Sequence, residues 1–314
     1  MVMIWNDFLR YVLNVMDITD QLRAFVATAQ TGSFTAAAER LGISNRLTSK
    51  YVAELEDRLG TRLLQRTTRR VGLTPAGERM LAEAPALLDG LDDLLSDVSE
   101  QSRGFSGSLR ISAPVTFGEV YVAEMLARFA APHLDLTIDL QLSDAQTDLA
   151  AEGIDLAFRI GALSDHSLRA RKLCDIGMRV VASSEYLAHH ARPERPEDLA
   201  RHRCIHDTNH GPTRRWRFRE GGTVREVPVP AQIMVNSARA TCELALAGHG
   251  IAYGPDFVMG PEIAAGRLVS IFPPEILHDT ALHAVYLDGP KLPRKLRALI
   301  EFAREDARKS CDQA

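Results

Sequence analysis

A chain of 314 residues, 46% of them hydrophobic, suits a small domain plus a larger one better than a single core. Its formal net charge of -4 excludes a protein coated in positive charge, but not one that binds nucleic acid, because the distribution of charge matters more than its sum. Cys174, Cys204, Cys242 and Cys311 lie far apart with no CxxC pair, which argues against a disulfide scaffold or zinc knuckle and for a reducing, cytoplasmic location.

The first residues, MVMIWNDFLRYVLNVM, are apolar, but Asp7 and Arg10 interrupt them. No positive segment precedes the run and no small-residue cleavage pattern follows, so it does not read as a signal peptide. No later stretch is long and apolar enough to span a bilayer, and no membrane partner is expected.

Thr19 can cap a first helix with apolar positions Leu22, Phe25, Val26 and Ala29, ending at Gly32. A second, after Ser33, shows Phe34, Ala37, Ala38 and Leu41 on one side and stops at Gly42. Ser44 caps a third whose buried side runs through Thr48, Val52, Leu55 and Leu59 to Gly60. Two short helices joined by a glycine turn, with a first packed across them, form a helix-turn-helix. QRTTRRVGLT then reads as a charged two-stranded ribbon, and Thr74 with Pro75 starts a long helix toward Gln101. Its apolar residues Ala76, Met80, Ala84, Leu87, Leu88, Leu91, Leu94, Leu95 and Val98 call for a partner chain as cover.

Charge divides the same way. Between Asp20 and Gly72 there are nine Lys or Arg against five Asp or Glu, whereas the next segment to Glu100 has seven acidic residues against Arg79 alone. SRGFSGS, residues Ser102 to Ser108, is a linker. Beyond it the pattern is α/β: strands at Leu109–Ser112, Leu136–Leu140 and Leu156–Arg159, with helices after Pro114 and near Asp144–Ala151. Further strands are expected at Met178–Ala182 and Cys204–His206, a hairpin at Trp216–Val229 around Gly221 and Gly222, and a helix over Asn236–Ala247 capped by Asn236 or Ser237. A strand in HGIAYGP and a last helix over Pro293–Ala307 complete the pattern.

In the third helix the predicted buried stripe leaves Asn45, Arg46, Ser49 and Lys50 outward. In a major groove Arg46 can reach guanine O6 and N7, Asn45 can pair with adenine, and Leu47 can touch a thymine methyl. Ser49 and Lys50 suit phosphate positioning, the Arg66–Arg70 ribbon suits a phosphate ridge or minor groove, and the amides opening the Phe34 helix suit another phosphate. Taken alone, a basic amphipathic helix is an ordinary solvated surface; the neighbouring ribbon and long helix make it more than that.

FVATAQTGSFTAAAERLGIS and LEDRLGTRLLQRTTRRVGLTPAGE resemble the DNA-binding segment of LysR-type transcriptional regulators. SLRISAP, GIDLAFRIG and LALAGHGIAYGP resemble that family's regulatory-domain signatures, so the likeness covers Asp17 to Ala307. It implies a winged helix-turn-helix N-terminal domain (17–74), a linker and dimerisation helix (75–101), a hinge (102–108), and a two-lobed α/β effector-binding domain like a periplasmic binding protein (109–307). It further implies a homodimer or dimer-based homotetramer on double-stranded promoter DNA at an interrupted inverted repeat, with RNA polymerase as a further partner. DNA contacts would fall at Ser33, Thr35, Asn45, Arg46, Ser49, Lys50, Arg66 and Arg69. The effector site would lie between the lobes, at Pro114, Val115, Thr116, Ser143, Ile160, His206, Asn236, Ser237 and Gly254. Amides at the Thr116 and Ser237 helix starts would suit a carboxylate. In ISNRLTSKYV the chain departs from the family, since Thr48 stands where an aliphatic is usual.

Other readings are weaker. His202, Cys204, His206 and His210 invite a metal, but side chains alternating along a strand do not converge on a tetrahedron, so no metal is expected. AGHGIAYG lacks the strand-to-helix dinucleotide fingerprint, and Asp207 with His210 lacks a nucleophile, so neither cofactor nor catalysis is expected. A small-molecule binding module without DNA function is the alternative.

Overall fold

The computed structural model describes residues 18–66, 71–98, 104–145, 148–161, 163, 168–211, 213–220, 222–288 and 292–311. Met1–Asp17, Arg69, Arg70, Gln101, Ser102, Arg103 and Gly221, which figure in the sequence reading, lie outside them. The chain divides into two compact units that meet in sequence at Ser106 and Gly107, the first also taking Ala150–Gly153 and Gly289–Lys295.

The first unit opens with helix α1 over residues 18–31. Ile18 is already helical, so Thr19 lies within the first turn and is not the cap its hydroxyl suggests. Helix α2 (Phe34–Leu41) is capped by Ser33, whose Oγ accepts the Ala36 N–H at 3.4 Å, and Gly42 closes it with φ +65°. Helix α3 (Asn45–Leu59) is capped by Ser44, whose Oγ accepts the Leu47 N–H at 3.2 Å. Ala24, Phe25, Val52, Leu55, Leu63 and Leu64 form the core. Thr48 is fully buried because its hydroxyl donates to the Ser44 carbonyl at 3.1 Å, which lets a polar side chain occupy an aliphatic position.

Leu59, expected on the buried stripe, is 43% exposed. The helix stops at Gly60 and the chain returns to the core through Leu63 and Leu64 instead. Glu56 secures that return: its Oε1 accepts the N–H groups of Leu63 and Leu64 at 2.7 and 3.0 Å. Strands β1 (Leu64–Arg66) and β2 (Val71–Leu73) then pair antiparallel, Leu64 opposite Leu73. Helix α4 (Pro75–Val98) starts as expected, Thr74 Oγ1 accepting the Gly77 N–H at 3.0 Å. Arg23 of α1 ties it down through Asp92 at 2.6 Å. Ala84 and Leu88 face inward, while Leu87 and Leu94 are 65% and 59% exposed.

The second unit holds two five-stranded sheets. In the first, β3 (Gly107–Ala113) runs parallel to β4 (Leu136–Leu142) and to β5 (Leu156–Ile160). On the other side of β5, β14 (Thr280–Leu287) and the edge strand β6 (Leu168–Ile176) complete the order β4-β3-β5-β14-β6. Helical turns over Val115–Phe117 (α5) and Gly118–Val122 lead into α6 (Ala123–Ala130), and α7 is Leu149–Glu152. The helix expected near Asp144 is therefore one short turn; Asp144 itself turns back to bond Val115.

The second sheet is ordered β11-β8-β12-β7-β13, from β7 (Met178–Ser183), β8 (Cys204–Asp207), β11 (Ala231–Val235), β12 (Ile251–Pro255) and β13 (Leu268–Ser270). Helix α8 (Ser184–His189) follows β7; α9 (Ala238–Leu246) and α10 (Asp256–Ala264) flank β12. The hairpin β9 (Arg215–Glu220) with β10 (Thr223–Pro228) lies where expected, pinned by Trp216 and Phe218, each 1% exposed. Helix α11 (Arg294–Cys311) runs past the expected end and packs on the first sheet's helices, Tyr121 and Arg128 both meeting Asp306.

Candidate functional site

The caps of α2 and α3 bring one group of predicted DNA contacts together. Asn45 Nδ2 donates to Thr35 Oγ1 at 2.9 Å, so these two residues clasp the helix starts to one another. Part of the Asn45 amide is thereby used within the protein, whereas Arg46 stands exposed on the first turn of α3. Ser49 is half-buried, Lys50 is exposed and pairs with Glu54 at 3.5 Å, and Arg66 ends β1. Arg69 lies outside the described residues. The Ser33 hydroxyl already takes one of the amides expected to face a phosphate at the start of α2. Sequence reasoning missed Glu56 and Arg23, which hold the ribbon and the long helix; the signal available was a carboxylate just before a turn of unpaired amides.

In the second unit, residues from both sheets converge at strand ends. Pro114 precedes α5, and the Val115 N–H, expected to be open to a ligand, is given to Asp144 Oδ1 at 3.0 Å. Ser143 lies beside it, its N–H on the Ala113 carbonyl and its Oγ accepting from Ala145; Thr116 is buried, and Ile160 pairs with Leu282 at the end of β5. On the second sheet, Ser237 rather than Asn236 caps α9, with Oγ accepting the Ala240 N–H at 3.3 Å. Asn236 is exposed, its carbonyl accepting from Asn209 at 3.0 Å. Gly254 is buried where a Cβ would stand 2.5 Å from the Met259 methyl.

His206 goes elsewhere. Its Nε2 meets the Gly211 carbonyl at 3.0 Å, its Nδ1 is buried without a partner among the described residues, and strand alternation puts it on the Cys204 side with the hairpin. His202 contacts Tyr186, and His210 packs edge-on against Tyr253, so the four residues of the metal reading point to different neighbours. Burial pushes the thiols of Cys204 and Cys242 up to about 12, where neither is a thiolate at neutral pH. Burial likewise drives His210 down to about 4.

The two sheets of this unit touch through Phe117 and Phe257, ring centroids 5.2 Å apart, and through Arg239 and Glu119 at 3.5 Å. Two carboxylates near these contacts lie within electrostatic reach of each other. Asp207, 2% exposed, is raised to about 6, chiefly by burial and also by the negative charge of Asp144, against one N–H from Asn209 at 3.0 Å. A carboxyl whose folded value is raised favours the fold while protonated and loses that advantage as pH climbs from its ordinary 3.8 through 6. Asp207→Asn is therefore expected to stabilise the protein by roughly 2 kcal/mol at pH 7.5 and by little at pH 4. Urea unfolding at the two pH values checks this; an equal or negative change at pH 7.5 would reject it.

A DNA-binding helix-turn-helix with a ribbon and an extended helix, joined in one chain to a two-sheet α/β binding unit, defines a ligand-responsive regulator of transcription. Residues 19–78 match the bacterial regulatory helix-turn-helix model of the LysR family, and residues 102–308 match the LysR substrate binding domain. The chain is 38% identical over 286 residues to the regulator PtxR of Pseudomonas aeruginosa, covering 91% of this chain and 92% of that one. It is 32% identical to DmlR of Escherichia coli, covering 93% and 95%. Among solved structures, CrgA of Neisseria meningitidis superposes with a TM-score of 0.58 at 30% identity, covering 91% and 97%. Full-length AphB, a Vibrio cholerae virulence activator, gives 0.56 at 28%, covering 90% and 97%. The chain belongs to the LysR family of transcriptional regulators, which are DNA-binding, oligomeric proteins and not enzymes. No helix among the described residues is long and apolar enough to cross a membrane.

Proposed function

We propose that this regulator reads promoter DNA through Arg46, with Ser33, Thr35, Asn45, Ser49, Lys50, Arg66 and Arg69 setting the module on the backbone. The observation that carries this is the exposure of Arg46 on the first turn of α3, beside two helix starts locked by the Asn45–Thr35 bond. Domains follow the sequence divisions: 17–74 for DNA, 75–101 for association, 102–108 as hinge and 109–307 for the effector. The wet Leu87 and Leu94 on α4 support pairing with a second copy as a homodimer or dimer-based tetramer. RNA polymerase is the partner at promoters, in the cytoplasm.

The effector cleft lies where Pro114, Val115, Thr116, Ser143 and Ile160 of one sheet face Asn236, Ser237 and Gly254 of the other. A carboxylate effector seats at the α9 start, because Asp144 already fills the Val115 amide and would repel a second anion there. His206 leaves this set, since strand alternation puts it on the hairpin side of β8.

Genome-wide selection of fragments bound by the full-length protein tests the reading, with Arg46→Ala as control. Discrete promoter sites are expected, and the substitution should relax base preference by about 1–3 kcal/mol at one position of each half-site, about 5- to 150-fold. No enrichment over random DNA would reject DNA regulation, and an equal loss on all sequences would reject Arg46 as the reader.

A further inference from the structure

The hairpin β9–β10 carries a charge pattern that neither proposed site uses. Its sequence alternates strictly: Trp216 and Phe218 point into the core at 1% exposure, so Arg215, Arg217 and Arg219 all stand on the opposite, exposed face. Across the ladder, Arg215 lies opposite Pro228, Arg217 opposite Glu226 and Arg219 opposite Val224. Among the described residues, Arg217 meets Glu226 at 3.4 Å, while Arg215 and Arg219 meet no carboxylate. Arg225, on the inner register, is already paired with Glu197.

Like charges at every second residue of a strand repel, and Trp216 and Phe218 would anchor the hairpin equally well with neutral residues between them. In a chain of net charge -4 the ladder is a local concentration of positive charge that calls for an external anion. The guanidinium groups repeat every ~6.8 Å along the strand, two residues at ~3.4 Å each. That is of the same order as the step between successive phosphates on one nucleic-acid strand, and arginine suits phosphate through its planar fork. A two-stranded ribbon is also a shape that lies along a duplex backbone.

We propose that Arg215, Arg217 and Arg219 form a second, sequence-independent DNA contact, in which the effector-binding unit holds the phosphate backbone flanking the site read by the helix-turn-helix. This takes DNA binding by the first unit as given. DNA is favoured over an acidic protein because the protein works on DNA, where phosphate is the abundant anion, and because the arginine spacing matches a run of phosphates.

The test uses full-length protein and a promoter fragment it selects, in a minimal form and with long flanks. Wild-type protein is expected to bind the flanked form more tightly. Arg215→Gln with Arg219→Gln should weaken the flanked form about tenfold, reduce the salt slope by about 2, and leave the minimal form unchanged. Arg215→Lys with Arg219→Lys should restore most of the affinity, and a thermal midpoint close to wild type shows that the fold is retained. Equal wild-type binding to the two fragments, or an equal loss on both, overturns the proposal. So does unchanged DNA binding with altered sedimentation, which would place an acidic protein surface on the ladder. Failure of wild-type protein to hold either fragment rejects DNA recognition by the first unit instead.

Discussion

Gly77→Ala is expected to unfold or severely loosen the DNA-binding unit. A Cβ at position 77 would stand 2.1 Å from the Leu63 carbonyl oxygen and 3.0 Å from its carbon. That carbonyl cannot retreat, since it accepts the Thr74 N–H at 3.0 Å and the Thr74 hydroxyl at 3.2 Å, and the neighbouring amides of Leu63 and Leu64 are held by Glu56. Relief requires moving α4 away from the ribbon, so the cost should reach or exceed the ~1–3 kcal/mol typical of overpacking. Gly72→Ala, in β2 rather than α4 and with open space around it, should instead change stability by no more than about 0.5 kcal/mol. Urea unfolding and promoter binding of the two variants check the contrast; a stable, DNA-binding Gly77→Ala protein would show that the approach of α4 to Leu63 is not required.

Arg179→Met should destabilise the effector-binding unit by about 3–5 kcal/mol, because it strands a buried charge. Arg179 Nε lies 2.6 Å from Asp256 Oδ1, with side chains only 19% and 12% exposed. Asp256 opens α10 and binds the Gly177 carbonyl through its own N–H at 2.8 Å, so the pair joins β7 to the helix that packs Met259 into the core. Asp256→Asn in the Arg179→Met background should recover much of the loss, since the uncompensated carboxylate is then gone. Thermal and denaturant unfolding of single and double variants measures this. Additive losses would mean that each residue acts through its packing and not through the pair.

The DNA-binding unit was largely legible because its information is local. Ser33, Ser44 and Thr74 cap helices with their own hydroxyls, and Gly42 and Gly60 end them at positive φ. The signals and the structure they specify lie within a few residues of each other. Thr48, read onto the buried stripe although an aliphatic is usual there, keeps its place in the core through a bond to the Ser44 carbonyl one turn back.

The effector-binding unit was half legible. Apolar runs such as LAFRI and IAYGP mark β5 and β12, strands buried between neighbours. Strand β6 was missed because it is a sheet edge, where Arg169, Arg171 and Lys172 are tolerated and the apolar alternation is broken by a register shift opposite Leu282 and His283. Strand β14, whose alternation is likewise blurred, gains its place from pairing with β5 and β6, more than a hundred residues earlier. The same distance effect governs the sites. The sequence by itself determined the caps at Ser33, Ser44 and Thr74, the glycine stops, the outward Arg46 and the arginine alternation of β9, since all follow from backbone period and nearest neighbours. Only the tertiary structure decided that Asp144 fills the Val115 amide, that His206 lies on the hairpin side of β8 and that Asp207 is buried within reach of the Asp144 charge, because burial, and the charge felt through it, depend on segments brought together by the whole fold.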